Sequence, residues 1–228
     1  MKKCAVFSLT AVVSLVLFTG GVCADTYKPG TYTGSATGYS RKNHPGKIEV
    51  EVTVDANAIK AINILTYEQT TTGKQTKQIE RTLQAKTQIP AQIIEKQSLA
   101  VDSVARASAS SVGIELAVAQ ALEKATLTYK DGTYTGEAKG YDRKKHPGKI
   151  EVEVTVTGGR IAEINIVTYE QTTTGKQAQQ IERTLQAKAD IPGKIIARQT
   201  TAVDSIARAS MSSDGIKLAV ARALEKAR

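Results

Sequence analysis

Residues 26–125 recur at 128–227 with a constant shift of 102 positions and no gap, and 73 of the 100 paired residues are identical. A long fixed period of this kind defines the folding unit before any secondary structure is considered, so the chain reads as two copies of one small domain. Each copy, at about 100 residues, is long enough to bury a core of its own. Ala125-Thr126-Leu127 leaves almost no linker, which predicts two domains in close contact. Copies this alike retain residues that matter together with residues that do not, so agreement between them is not evidence of selection.

The segment ahead of the repeats reads as a secretion signal at 1–24. Lys2 and Lys3 precede a mostly apolar run from Ala5 to Phe18, and Val22-Cys23-Ala24 offers a small-residue cleavage site before Asp25. The apolar run is shorter than the roughly 20 residues of a membrane-spanning helix. Both cysteines, Cys4 and Cys23, lie in this leader. The mature chain is therefore expected to use no disulfide, thiolate–metal site or cysteine nucleophile. The formal charge of +9 includes Lys2 and Lys3, and the other basic residues are mostly scattered among Asp and Glu. With no tryptophan and few other aromatics to stack on bases, nucleic acid is not an expected partner.

Within one repeat the pattern is α+β. Gly30–Tyr39 is rich in Thr and Tyr and punctuated by Gly, which reads as a strand with close backbone contacts. Lys47–Val54 alternates cleanly, with Ile48, Val50, Val52 and Val54 on one face and Glu49, Glu51 and Thr53 on the other, predicting a half-buried antiparallel strand. Asp55–Ala58 reads as a hairpin loop, followed by a strand from Ile59 to Tyr67. Helical spacing follows at Ile79 and Leu83 and, after Pro90, at Ile93 and Ile94. Ser110–Lys124 reads as the clearest helix, with one apolar stripe at Ile114, Val118 and Leu122 and with Ser110 and Ser111 at its N-cap. A run of strands followed by helices predicts two tandem α+β domains, 26–125 and 128–227, each an antiparallel sheet with packed helices.

The candidate chemistry lies in the signature from Val101 to Ser111 and its copy from Val203 to Ser213. Small residues there let backbone approach a ligand closely. The helix start just beyond favours phosphate through its free N–H groups. Arg106 and Arg208 add forked cationic donors, and Ser108 and Ser210 add hydroxyls. Tight packing and helix capping remain an alternative reading of the same residues. His44 and His146 stand alone beside Pro and Lys and read as exposed turn residues, since one histidine without cysteine gives no metal set.

From Tyr27-Lys28-Pro29-Gly30-Thr31-Tyr32-Thr33-Gly34 through the two following strands to the signature and the final Ala/Val helix, each repeat resembles the FMN-binding domain family. The resemblance implies FMN as cofactor. It also implies a phosphoester from FMN to the first threonine of a signature resembling Asp-x-x-Ser-Gly-Ala-Thr-x-Thr-Ser, made by a flavin transferase that uses FAD and magnesium. That threonine falls on Ser108 and Ser210, and the aspartate on Asp102 and Asp204. The candidate cofactor-binding set adds Arg106 and Arg208 as phosphate-pairing cations, Ser110, Ser111, Ser212 and Ser213 from the signature, and Thr72 and Thr174 from the Glu68–Gly73 loop and its copy, which resembles a Glu/Thr/Gly loop of the family. Ala105 and Ala207 replace the motif's serine, and Arg106 and Arg208 replace its glycine. Where that glycine serves a backbone with positive φ, an arginine is strained. The function implied is an exported, periplasmic or extracellular electron carrier with membrane or exported redox partners. An accessory flavin module of a multi-subunit reductase and a flavin-free structural module are the alternatives.

Overall fold

The structure, a computed structural model, describes residues 25–39, 45–69, 76–141, 148–171, 173 and 178–228. The first repeat forms β1 (Gly30–Thr37), β2 (Lys47–Val54), β3 (Ile59–Tyr67), α1 (Thr76–Lys96) and α2 (Ser108–Ala125). The second forms β4 (Gly132–Lys139), β5 (Lys149–Thr157), β6 (Arg160–Tyr169), α3 (Ala178–Arg198) and α4 (Ser210–Glu225). Each copy is thus a three-stranded antiparallel sheet, in order β1-β2-β3 or β4-β5-β6, with two helices packed on it.

The period-two pattern of β2 decides which face the helices cover. Ile48, Val50, Val52 and Val54 are buried beneath them. Glu49, Glu51 and Thr53 turn to the open face, where Glu49 pairs with Lys47 at 2.9 Å. Asp55 closes the β2–β3 turn by accepting from the backbone of Asn57 and Ala58. The second copy instead uses Gly158 and Gly159 at φ +60° and +71°, the left-handed backbone that a tight hairpin turn demands. A Cβ at Gly34 of β1 would lie 1.9 Å from the carbonyl oxygen of Ala117, so helix backbone rests directly on the strand. Gly136 plays the same part against Ala219.

α1 runs unbroken through Pro90, as α3 does through Pro192, and both prolines are buried. Two details differ from the sequence expectation. Leu83 shares the apolar spacing of α1 yet is exposed. The closing helix begins at Ser108, with Ala107 as N-cap and no side-chain cap, so Ser110 and Ser111 lie inside the first turn and are buried. The same holds for Ser212 and Ser213 in α4.

α2 also buries more than the one stripe its spacing predicts. Ile114, Leu116, Ala117, Val118, Ala119, Ala121 and Leu122 are all buried, because one side faces its own sheet and the other faces α4. Leu116 belongs to the core of the second copy, and Ala221 of α4 to that of the first. Two related clamps hold this contact. Glu123, near the end of α2, accepts from the Thr200 hydroxyl at 2.6 Å and the Thr201 N–H at 3.1 Å. Glu225, at the end of α4, accepts from the Ser98 hydroxyl at 3.2 Å and the Leu99 N–H at 3.0 Å. Each closing helix therefore ends at the loop that leads into the other copy's signature.

Between the clamps lies a charge pair that breaks the symmetry. Glu115 is fully buried and meets Arg222 at 2.8 Å, while its Oε1 finds no hydrogen-bond partner among the described residues. Arg222 also donates to the carbonyls of Leu99 and Glu137. Burial pushes the Glu115 carboxyl up to about 7, against the opposing pull of Arg222. The related positions in the other copy hold Lys217 and Gln120, so this pair forms once.

Candidate functional site

The signature is a loop followed by a helix start, and its backbone is fixed at three points. Ala107 N–H donates to the Val104 carbonyl at 2.9 Å, closing a β-turn over Val104–Ala107. Arg106, third in that turn, has φ +67°, the left-handed value a type II turn requires at this position. Arg208 has the same φ of +67°. The strain expected of an arginine at the motif glycine is therefore present in both copies. The Arg106 carbonyl is held by the Gln78 amide at 2.9 Å and that of Arg208 by Gln180 at 2.8 Å, which ties the turn to the start of α1 or α3. Finally, the Ser111 hydroxyl accepts from the Val104 N–H at 3.1 Å and donates to the Ala107 carbonyl at 3.1 Å. Ser213 repeats this with Ile206 and Ala209.

Ser108 and Ser210 are exposed at the first position of the closing helices, and among the described residues no side-chain hydrogen bond engages either hydroxyl. Asp102 and Asp204 are exposed as well, with Lys96 3.7 Å from Asp102. Ser110 and Ser212 point the other way. The Ser110 hydroxyl donates to Gln69 Oε1 at 2.8 Å, and Ser212 does the same to Gln171. The hydroxyls of Ser110, Ser111, Ser212 and Ser213 are thus committed to the protein itself. Thr72, Thr174, His44 and His146 lie outside the described residues.

Gln69 and Gln171 are organising residues that sequence reasoning passed over as part of a polar loop. Gln69 is buried; its Oε1 accepts from the Tyr39 N–H as well as from Ser110, and its Nε2 donates to the Gly46 carbonyl at 2.8 Å. One amide thereby joins the end of β1, the entry to β2 and the first turn of α2. A Cβ at Gly38 would lie 2.8 Å from Gln69 Oε1, so the missing side chain at Gly38 is what admits the amide. The signal was readable only as a Gly–Gln pairing across 31 residues of sequence.

A cavity opens beside each signature. The first, of about 1070 Å³, brings together Asp102, Arg106 and Ser108. The second, of about 410 Å³, brings together Asp204 and Ser210, with Lys217 beside them and Arg208 left outside. Lys217 pairs there with Asp214 at 2.7 Å and donates to the Ser205 hydroxyl at 2.8 Å. The model of the FMN-binding domain family matches this chain twice, over residues 43–123 and 146–225. The chain belongs to the FMN-binding domain family. It carries two copies of the domain, and FMN is its cofactor. Among solved structures it is similar to the CPE2226 protein from Clostridium perfringens, at 21% identity over 43% of this chain and 88% of that one, with a TM-score of 0.32. No curated protein matches the chain.

The residues present fit an FMN group. The second cavity lies within the roughly 300–1,000 Å³ typical of small-ligand sites and the first just above it. Each has an unengaged hydroxyl at a helix start, where a phosphate monoester is favoured electrostatically. Arg106 adds a cation to the first.

Proposed function

We propose that the chain is an exported electron-transfer protein with one FMN per repeat, joined by a phosphoester to Ser108 and to Ser210. The observation that carries this reading is the pair of serines themselves. In both copies the signature hydroxyl is exposed and unengaged, while its neighbouring serines are buried and bonded. Ser108 and Ser210 each border the cavity beside their own signature.

Attachment by a transferase that consumes FAD is balanced as a phosphoryl transfer. The serine oxygen attacks the phosphorus on the flavin side, a serine O–P bond forms, the pyrophosphate bond breaks, AMP leaves, and the serine proton passes to a base of the transferase. The exposed position of Ser108 and Ser210 suits a reaction performed by a second protein. Once bound, FMN supplies one- and two-electron redox chemistry that no protein side chain provides. The chain's own residues anchor the phosphate, orient the group and limit its access to water. A covalent link also suits a cofactor that works outside the cytoplasm, where dissociation means loss, and the leader at 1–24 supports that location. Its redox partners are a membrane or exported dehydrogenase and an exported acceptor.

Coexpression with a flavin transferase, followed by intact mass measurement, tests this reading. Wild-type protein should carry two FMN increments, Ser108→Ala and Ser210→Ala one each, and the double variant none. Protein that stays yellow after denaturation with both serines replaced refutes the assignment.

A further inference from the structure

Each cavity is walled by both repeats. Beside Ser108 the second repeat contributes Lys139 from β4, Arg222 from α4 and Lys226 just after it. Beside Ser210 the first repeat contributes Thr37 from β1 and Gln120 from α2. Helix length makes this crossing unambiguous. Lys226 lies sixteen residues beyond Ser210, or about 24 Å along the helix, yet it borders the cavity of Ser108. Gln120 lies twelve residues beyond Ser108, about 18 Å, yet it borders the cavity of Ser210. The Glu123 and Glu225 clamps hold each closing helix against the loop before the opposite signature, so this juxtaposition is built into the interface.

Building on the attachment reading above, we infer that each flavin tethered to one repeat is enclosed by the other, so that neither repeat alone contains a complete FMN site. The two enclosures are also unequal. At related positions the Ser108 cavity has Val112, Lys139 and Arg222 where the Ser210 cavity has Asp214, Thr37 and Gln120. The second is the smaller, and the bonded pair Lys217–Asp214 stands on its wall.

The test uses the full chain coexpressed with a flavin transferase, with Ser210→Ala leaving flavin only on Ser108 and Ser108→Ala leaving it only on Ser210. The sequence contains no tryptophan, so a tryptophan placed in one wall reports contact by quenching flavin fluorescence. Lys226→Trp should lower the yield of the Ser108-linked flavin by about fivefold or more through ring contact and leave the Ser210-linked flavin unchanged. Gln120→Trp should do the reverse. Lys226→Leu and Gln120→Leu, which bring no quenching ring, should change the yields far less than the tryptophans do, which separates ring contact from local unfolding. Quenching confined to the flavin of the same repeat, or absent from both, overturns the inference while leaving attachment intact. A mass measurement without any FMN increment overturns attachment, and the enclosure with it.

Discussion

Replacing Arg106 by glycine should stabilise the protein, although it removes a whole side chain from the signature. Arg106 sits at φ +67°, where the Cβ of an L-residue crowds the backbone at a cost of about 1–2 kcal/mol. Glycine removes that crowding but has more freedom to lose on folding, worth about 0.5–1 kcal/mol. The net gain is therefore roughly 0.5–1 kcal/mol. The hydrogen bond from Gln78 reaches the Arg106 carbonyl and so survives the substitution. Arg208→Gly should gain less, because the Arg208 guanidinium donates to Gln179, a bond the variant loses. In urea, with a slope of about 1–3 kcal/mol per molar, the Arg106→Gly midpoint should rise by a few tenths molar at unchanged slope. Arg106→Ala and Arg106→Lys keep the Cβ and should give no gain. If Arg106→Ala stabilises as much as Arg106→Gly, or if Arg106→Gly destabilises, backbone strain is not what the arginine imposes.

The native state holds the Glu115 proton more tightly than the unfolded chain, since the carboxyl is raised to about 7 from 4.5 by burial. Its contribution to stability is therefore full below the unfolded value and is lost as pH rises through the folded one, a fall on the order of 2–3 kcal/mol. Urea denaturation at pH 5 and pH 8 should show this fall in the wild type and a flatter profile in Glu115→Gln, with a residual slope from Glu225, which burial also raises. An unchanged slope in the variant refutes Glu115 as its source. Gly34→Ala or Gly136→Ala brings a Cβ within 1.9 or 2.0 Å of a helix carbonyl, so each should lose about 3 kcal/mol or more in the same assay. Gly193→Ala, whose Cβ meets nothing within 4 Å inside α3, should instead gain about 0.5–1 kcal/mol.

The strands were legible because their patterning is local. Alternation from Lys47 to Val54 gives both the limits of β2 and its buried face, and Ile59–Tyr67 follows from the hairpin between them. The α+β order and the close approach of the copies followed from the repeat and its missing linker. Pro90 sits inside α1, where buried packing against β3 and α2 offsets the hydrogen bond that proline cannot donate. Ser110 and Ser111 misled because serine before an apolar run usually caps from outside the helix. Here the turn held by Arg106 starts the helix two residues earlier, so the two hydroxyls fall inside and bond to Gln69 and to the loop. Gln69 gave no local sign, because a buried polar residue is recognised by its partners, and these come from three separate segments.

The interface was hidden for a different reason, one inherent to duplication. Where two copies agree, each predicts the same environment for both residues, yet a pair packed face to face needs some of its contacts to be complementary rather than identical. Position 115 shows how this works: Glu115 stands opposite Arg222, whereas identical copies would set like residues at both related positions. Its repeat equivalent is Lys217, which takes an internal partner in Asp214, and the equivalent of Arg222 is Gln120. A buried carboxylate facing only apolar groups and a glutamine would be several kcal/mol worse than one facing a guanidinium. The charge reversal at 115 and 217, both buried in the closing helices, therefore marks the face where the copies meet. Differences between repeats, more than their shared residues, locate what the chain does as a pair.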